Sequence, residues 1–191
     1  MNLITKFLSF LSVLVFPLAG WGALILDSST YNGSDYHLVG NSGGAGITWT
    51  DAQAFAVTLG GNLATINDQA ENDHLGTLWG GVNSLWIGLN DVNTPGQFEW
   101  VSGEPVTFTN WDGNEPNNSG GNEQYVHLWD GILRPGNQTW NDLANETSVF
   151  GRPLYGVVEI PTNEIPEPRT IAAFSLVALA GFLYYRRRKA A

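Results

Sequence analysis

The chain has 191 residues, no cysteine and a formal net charge of −10. Without cysteine, disulfides, thiolate metal centres and cysteine nucleophiles are excluded. Between residues 23 and 164, seventeen carboxylates face two basic residues, Arg134 and Arg152, a formal charge of −15. Such a surface repels nucleic acid and anionic lipid and favours cations.

The first segment, MNLITKFLSFLSVLVFPLAGWGA, has a positive start, an apolar run from Phe7 to Leu18, and small residues at Gly20 and Gly22. That three-part pattern predicts a secretory signal peptide over residues 1–22, since twelve apolar residues are too few to span a bilayer. Thr50-Asp51-Ala52-Gln53 has the form of a capping box. Ala52, Phe55, Ala56 and Leu59 then recur at helical spacing until Gly60-Gly61. A second helix starts at Asn67-Asp68-Gln69-Ala70-Glu71, with Leu75 and Leu78 on one face and Gly80-Gly81 as its stop.

After that the character changes. Trp86-Ile87-Gly88-Leu89, Phe98-Glu99-Trp100, Tyr125-Val126-His127-Leu128 and Tyr155-Gly156-Val157-Val158-Glu159-Ile160 read as short strands separated by Gly/Asn/Pro-rich stretches. Helices first and strands later predict an α+β domain. Trp86, Trp100, Trp111, Trp129 and Trp140 are spread through the loop-rich half. Disordered segments are poor in aromatics, so most of these rings are expected to pin loops to a core. His37, His74 and His127 show no zinc spacing, and His127, inside a strand, is expected to be structural.

The stretch NEPNNSGGNEQYVHLWD, residues 114–130, concentrates side-chain oxygens where no core could form. Glu115, Asn117 and Glu123 supply two carboxylates and an amide, and a cis bond before Pro116 would turn the first two side chains the same way. Gly120 and Gly121 allow the chain to fold back, and Trp140-Asn141-Asp142 adds another amide and carboxylate. Hard cations such as Ca²⁺ take six to eight such oxygens, and a divalent ion relieves the repulsion among gathered carboxylates. The loop lacks the alternating Asp/Asn pattern of an EF-hand.

With these residues in view, roughly residues 34–161 resemble a C-type lectin-like domain. The resemblance is carried by Leu59-Gly60-Gly61-Asn62-Leu63-Ala64-Thr65-Ile66, Trp86-Ile87-Gly88-Leu89-Asn90-Asp91, the Trp100 strand, Asn110-Trp111, Glu115-Pro116-Asn117, Glu123, Trp140-Asn141-Asp142 and Val157-Val158-Glu159-Ile160. It implies two helices, two small antiparallel sheets and a long calcium-binding loop region. Glu115, Asn117, Glu123, Asn141 and Asp142 would coordinate Ca²⁺, and Glu115, Asn117, Glu123 and Asn141 would also hydrogen-bond two adjacent sugar hydroxyls. Glu-Pro-Asn implies mannose, glucose, N-acetylglucosamine or fucose rather than galactose. Departures from the family pattern are equally specific. Its usual disulfide positions hold Ala56 with Val158, and Tyr125 with Asn145, the second pair leaving the long loop without a covalent staple. At the auxiliary calcium site Asp91 matches, but Pro95, Asn118 and Gln124 replace acidic ligands, so that site is expected to be weak or absent. Residues 130–139 form a longer connection than usual.

The tail combines Pro166-Glu167-Pro168, apolar residues from Ile171 to Tyr185, and Arg186-Arg187-Arg188-Lys189. Fifteen residues of helix span about 22 Å, short of a ~30 Å hydrocarbon core. The basic cluster holds its end cytoplasmic. Residues 165–189 resemble the PEP-CTERM sorting signal of Gram-negative bacteria, which implies transient anchoring in the inner membrane, processing by an exosortase-type enzyme, and a place at the cell surface or in the extracellular matrix. A simple single-pass anchor is the other reading.

The sequence therefore predicts a calcium-dependent, glycan-binding exported protein, not an enzyme, with no nucleic-acid partner. The alternative is a calcium-stabilised protein-binding or matrix module without sugar specificity. A glycosidase using Glu115 and Glu123 is disfavoured, because carboxylates neutralised by a metal are poor proton donors.

Overall fold

The computed structural model describes residues 22–81, 83–136 and 138–162. The signal peptide predicted over residues 1–22 lies outside these residues except for Gly22, as does the sorting segment at 165–189. Among the described residues no helix is long and apolar enough to cross a membrane.

The elements are β1 (Ala23–Tyr31), β2 (Ser34–Asn41), α1 (Trp49–Thr58), β3 (Asn62–Leu63), α2 (Gln69–Leu75), β4 (Ser84–Asn90), β5 (Glu99–Trp100), β6 (Tyr125–Leu128), β7 (Trp140–Leu143), β8 (Ser148–Val149) and β9 (Arg152–Pro161). The fold is α+β, two helices against a mixed sheet. Its main path runs β1-β2-β9-β4-β6-β7, with β3 and β8 pairing with β9 and β5 with β4. The two small antiparallel sheets implied by the family resemblance are joined here. Ser84, Leu85 and Trp86 of β4 run parallel to Leu154, Tyr155 and Gly156 of β9.

Every residue of β4 is buried, as a central strand covered on both faces requires. Its side chains alternate between two cores. Leu85, Ile87 and Leu89 join Trp100, Trp140 and Leu128 on one face, while Trp86 joins Trp49, Ala52, Ala56 and Val158 on the other. Gly88 is obligatory, because a Cβ there would lie 2.4 Å from the Leu63 carbonyl oxygen. Trp86, Trp100, Trp129 and Trp140 are all buried, and half-buried Trp111 packs edge-on against Phe98 and Trp140. The tryptophans are core, as expected.

Two local expectations are corrected, and one hairpin lies beyond them. Helix α1 is capped by Thr48, whose hydroxyl accepts from Asp51 N–H at 3.2 Å, and not by Thr50. The earlier start brings Trp49 into the first turn, buried with its indole N–H on the Ile87 carbonyl at 2.7 Å. After α2 the chain continues as a π-helical turn, Gly76–Gly80. The wider turn advances the buried face by one position, so Trp79 is buried and Leu78 is exposed. Finally, β1 pairs along β2 through the Asn32-Gly33 turn, both residues at positive φ. That hairpin lies outside the predicted elements, although Asn-Gly is a strong hairpin signal.

Candidate functional site

The connection between β5 and β6 carries the first three predicted donors. The Glu115–Pro116 peptide is cis. Asn114, Asn118, Gly120 and Gly121 all have positive φ, a region that Gly and Asn enter at low cost. These turns fold the loop into a hook. The Asn118 side-chain oxygen accepts the Glu123 N–H at 3.1 Å, and Ser119 N–H donates to Glu123 Oε2 at 2.6 Å. Gly120 and Gly121 thus allow the reversal predicted for them, and Glu123 returns toward the Glu-Pro-Asn turn.

Strand β7 brings the other two donors. Asp142 is buried and receives the loop directly: Asn117 N–H donates to Oδ1 at 3.0 Å and Asn118 N–H to Oδ2 at 2.8 Å. Asn141 lies opposite His127 in the β6–β7 ladder. Its side-chain N–H donates to the Asp142 carbonyl and lies 3.3 Å from His127 Nε2. Burial lowers the His127 pKa to about 4, so the ring is neutral. It is wedged edge-on between Trp86 and Trp129, the structural role expected of it.

The electrostatics are those of crowded like charges. Burial, then Asp142, Glu123 and Asp112, push Glu115 up to about 7. Burial and Asp142 also raise Glu123. Glu115 Oε2 is buried without a hydrogen-bond partner. Among the described residues the arginine ion pairs lie elsewhere, Arg134 on Asp112 and Arg152 on Asp130. Among the described residues no three His, Asp or Glu side chains stand close enough to grip a metal as they are placed. The donor chemistry nevertheless fits a hard divalent cation: three neighbouring carboxylates, two carboxamides, and a buried acceptor in want of a positive partner.

Asp91 is buried, with Oδ2 taking Gly96 N–H at 2.6 Å and Oδ1 unpartnered. The side chain of Asn118 is committed to Glu123, and the Gln124 carbonyl accepts Asp91 N–H. At the disulfide positions Ala56 and Val158 share a core. Tyr125 lies against Trp49 with ring centroids 4.7 Å apart. Asn145 exchanges two hydrogen bonds with Thr50, 3.2 and 2.8 Å. Packing and hydrogen bonds therefore tie the start of β6 and the segment after β7 to the start of α1. Sequence reasoning missed Asn118 as the pivot of the hook, although Asn before Ser-Gly-Gly is a turn signal. It also missed the Arg134–Asp112 pair, which no local pattern announces.

Fold and loop together define an α+β domain that carries a long, oxygen-rich loop on a mixed sheet. The Lectin C-type domain family matches residues 45–149, and the chain belongs to the C-type lectin family, whose members are binding proteins and not enzymes. It is 37% identical over 123 residues to an alpha-N-acetylgalactosamine-specific lectin of Patiria pectinifera, covering 60% of this chain and 69% of that one. The cow CD23 carbohydrate-recognition domain, determined in the presence of a GlcNAc2Man3 oligosaccharide, superposes with TM-score 0.58 at 25% identity over 70% of this chain and 92% of that one. A calcium-independent type II antifreeze protein superposes with TM-score 0.58 at 20% identity, covering 72% and 94%, and shares the fold alone.

Proposed function

We propose that this protein binds glycans through one calcium ion held by Glu115, Asn117, Glu123, Asn141 and Asp142. The observation that carries the reading is the buried, unpartnered Glu115 Oε2 beside Glu123 and Asp142, with no arginine paired to any of the three among the described residues. Bound there, the ion would supply a Lewis-acid centre for two adjacent hydroxyls. Glu115 and Glu123 would accept the hydroxyl protons, and Asn117 and Asn141 would donate N–H to the hydroxyl oxygens. Such charge-assisted bonds are stronger than neutral ones.

Glu-Pro-Asn favours mannose-type sugars, whereas the name of the Patiria relative points to N-acetylgalactosamine. The motif belongs to this chain and touches the sugar in the proposed arrangement, so it weighs more. A single open site would bind at about millimolar, about 4 kcal/mol, and adhesion would then need several copies on one surface. A glycan array with and without a chelator tests the assignment. Glu115→Gln with Asn117→Asp is expected to shift preference toward galactose-type sugars. An unchanged profile would count against direct coordination, and protein binding without sugar binding would favour the calcium-stabilised protein-binding or matrix module.

The leader at residues 1–22 and the tail at 165–189 support export, transient anchoring in the inner membrane, processing by an exosortase-type enzyme and display of the 34–161 domain at a bacterial surface or matrix. Loss of the mature surface form on changing Pro166-Glu167-Pro168 to alanines would distinguish processing from simple anchoring.

A further inference from the structure

The connection after β6 is rooted in the middle of the sheet. Asp130, fully buried, takes Ile132 N–H at 2.9 Å and Leu133 N–H at 2.7 Å on Oδ1. Its Oδ2 takes Arg152 Nε at 2.9 Å and the Ser84 hydroxyl at 3.2 Å, from the first residues of β9 and β4. Arg134 N–H closes the turn on the Asp130 carbonyl at 2.9 Å. From that footing the Arg134 side chain crosses Trp129, its guanidinium carbon 4.9 Å from the ring centroid, and donates from Nε to Asp112 Oδ2 at 2.8 Å. Asp112 stands three residues before Glu115. Its N–H donates to the Trp140 carbonyl at 2.8 Å, and its own carbonyl accepts Glu115 N–H at 3.0 Å.

We infer that Arg134 is a positioning residue for the sugar site: through Asp112 it holds Glu115 in register with the strand that carries Asn141 and Asp142. Its functional meaning rests on the calcium-lectin reading above. Residues 130–134 are then a brace, Asp130 built into the sheet and Arg134 holding Asp112, and with it the Glu-Pro-Asn loop, against β7. Two other roles make different demands. An arginine acting only through its field opposes cation binding, so its removal tightens calcium. A surface ion pair with no positioning role leaves calcium affinity unchanged.

Arg134→Met keeps the stem over Trp129 and drops both the charge and the bond to Asp112. Calorimetry with CaCl₂ is expected to show calcium affinity weaker by roughly three- to fivefold, the range an exposed ion pair can transmit. Arg134→Lys restores part of it, and Arg134→Met with Asp112→Ala is no weaker than Asp112→Ala alone. Tighter or unchanged calcium in Arg134→Met overturns the inference. The hold itself is read without metal by hydrogen exchange at the Glu115 amide, which is expected to speed up in Arg134→Met and stay near wild type in Arg134→Lys. Unchanged exchange in Arg134→Met also overturns it. A wild-type chain that binds no calcium defeats the lectin reading instead, and the exchange measurement still decides the brace.

Discussion

Two carboxylate clusters in this protein meet the same repulsion and end differently. Glu71 of α2 and Glu159 of β9 face one another across the Tyr36 hydroxyl, which lies 2.5 Å from Glu71 Oε1 and 3.3 Å from Glu159 Oε1. Ser34 donates to Glu159 Oε1 at 2.8 Å, Thr65 N–H to Oε2 at 3.1 Å, and Asn67 N–H to Glu71 Oε2 at 2.9 Å. All four oxygens have a protein donor, so the cluster is complete without an ion. In the long loop Glu115 Oε2 has none. Unmet acceptor capacity among crowded carboxylates is what the long loop has and this network lacks.

The largest break in that contrast should come from Asp142→Ala. It removes a proposed ligand and the acceptor for Asn117 and Asn118 N–H. Calcium-dependent sugar binding is expected to fall at least about a hundredfold, the effect of losing a fully engaged ligand group. Urea unfolding in chelator should move by no more than ~1–2 kcal/mol. Retained binding would place the ion elsewhere.

Next in size is Tyr36→Phe, which leaves Glu71 Oε1 buried without its donor. We expect a loss of about 2–3 kcal/mol in urea unfolding, with calcium affinity changed less than twofold. A parallel fall in calcium affinity would mean that the two clusters are one system. The pH response should connect them only in sign. Burial raises Glu71 above its ordinary 4.5, and Glu115 is raised to about 7. Without calcium, folding therefore takes up protons, and the stability these groups contribute is full below about 4.5 and declines as pH rises through about 7. Glu115→Gln and Glu71→Gln should each flatten that decline. His127, held neutral by burial, contributes the opposite slope below its ordinary 6.5, so the test is the difference from wild type: profiles of the two variants that run parallel to wild type over this interval would contradict both assignments.

The unevenness of what the sequence discloses follows the same division between local and distant causes. Trp86-Ile87-Gly88-Leu89 announces a central strand because burial on both faces demands an unbroken apolar run. Glu115, Asn117 and Glu123 stand out because an oxygen-rich loop has no use in a core. Leu78 and Trp79 exchange roles because one π turn shifts the helical phase, which a 3.6-residue reading cannot see. The Tyr36–Glu71–Glu159 network and the Arg134–Asp112 bond join residues 22 to 123 positions apart. Their partners are chosen by the sheet order, and nothing local names them.

The smallest effect sharpens the comparison most. In Ser34→Ala, Glu159 Oε1 loses its 2.8 Å donor, since the one Tyr36 hydroxyl proton is committed to Glu71 at 2.5 Å, while Oε2 keeps Thr65 N–H. Glu159 is only half-buried, so water can replace the lost donor and the cost should be only about 0.5–1 kcal/mol, readable as a shifted urea midpoint at unchanged slope. The cost should also be independent of calcium, because a network complete without an ion has no share in its binding. A loss as large as that of Tyr36→Phe would mean that each donor is indispensable and the network is poised at the edge of satisfaction. In that case its difference from the Glu-Pro-Asn loop would be one of degree, and the unpartnered Glu115 oxygen would no longer set that loop apart.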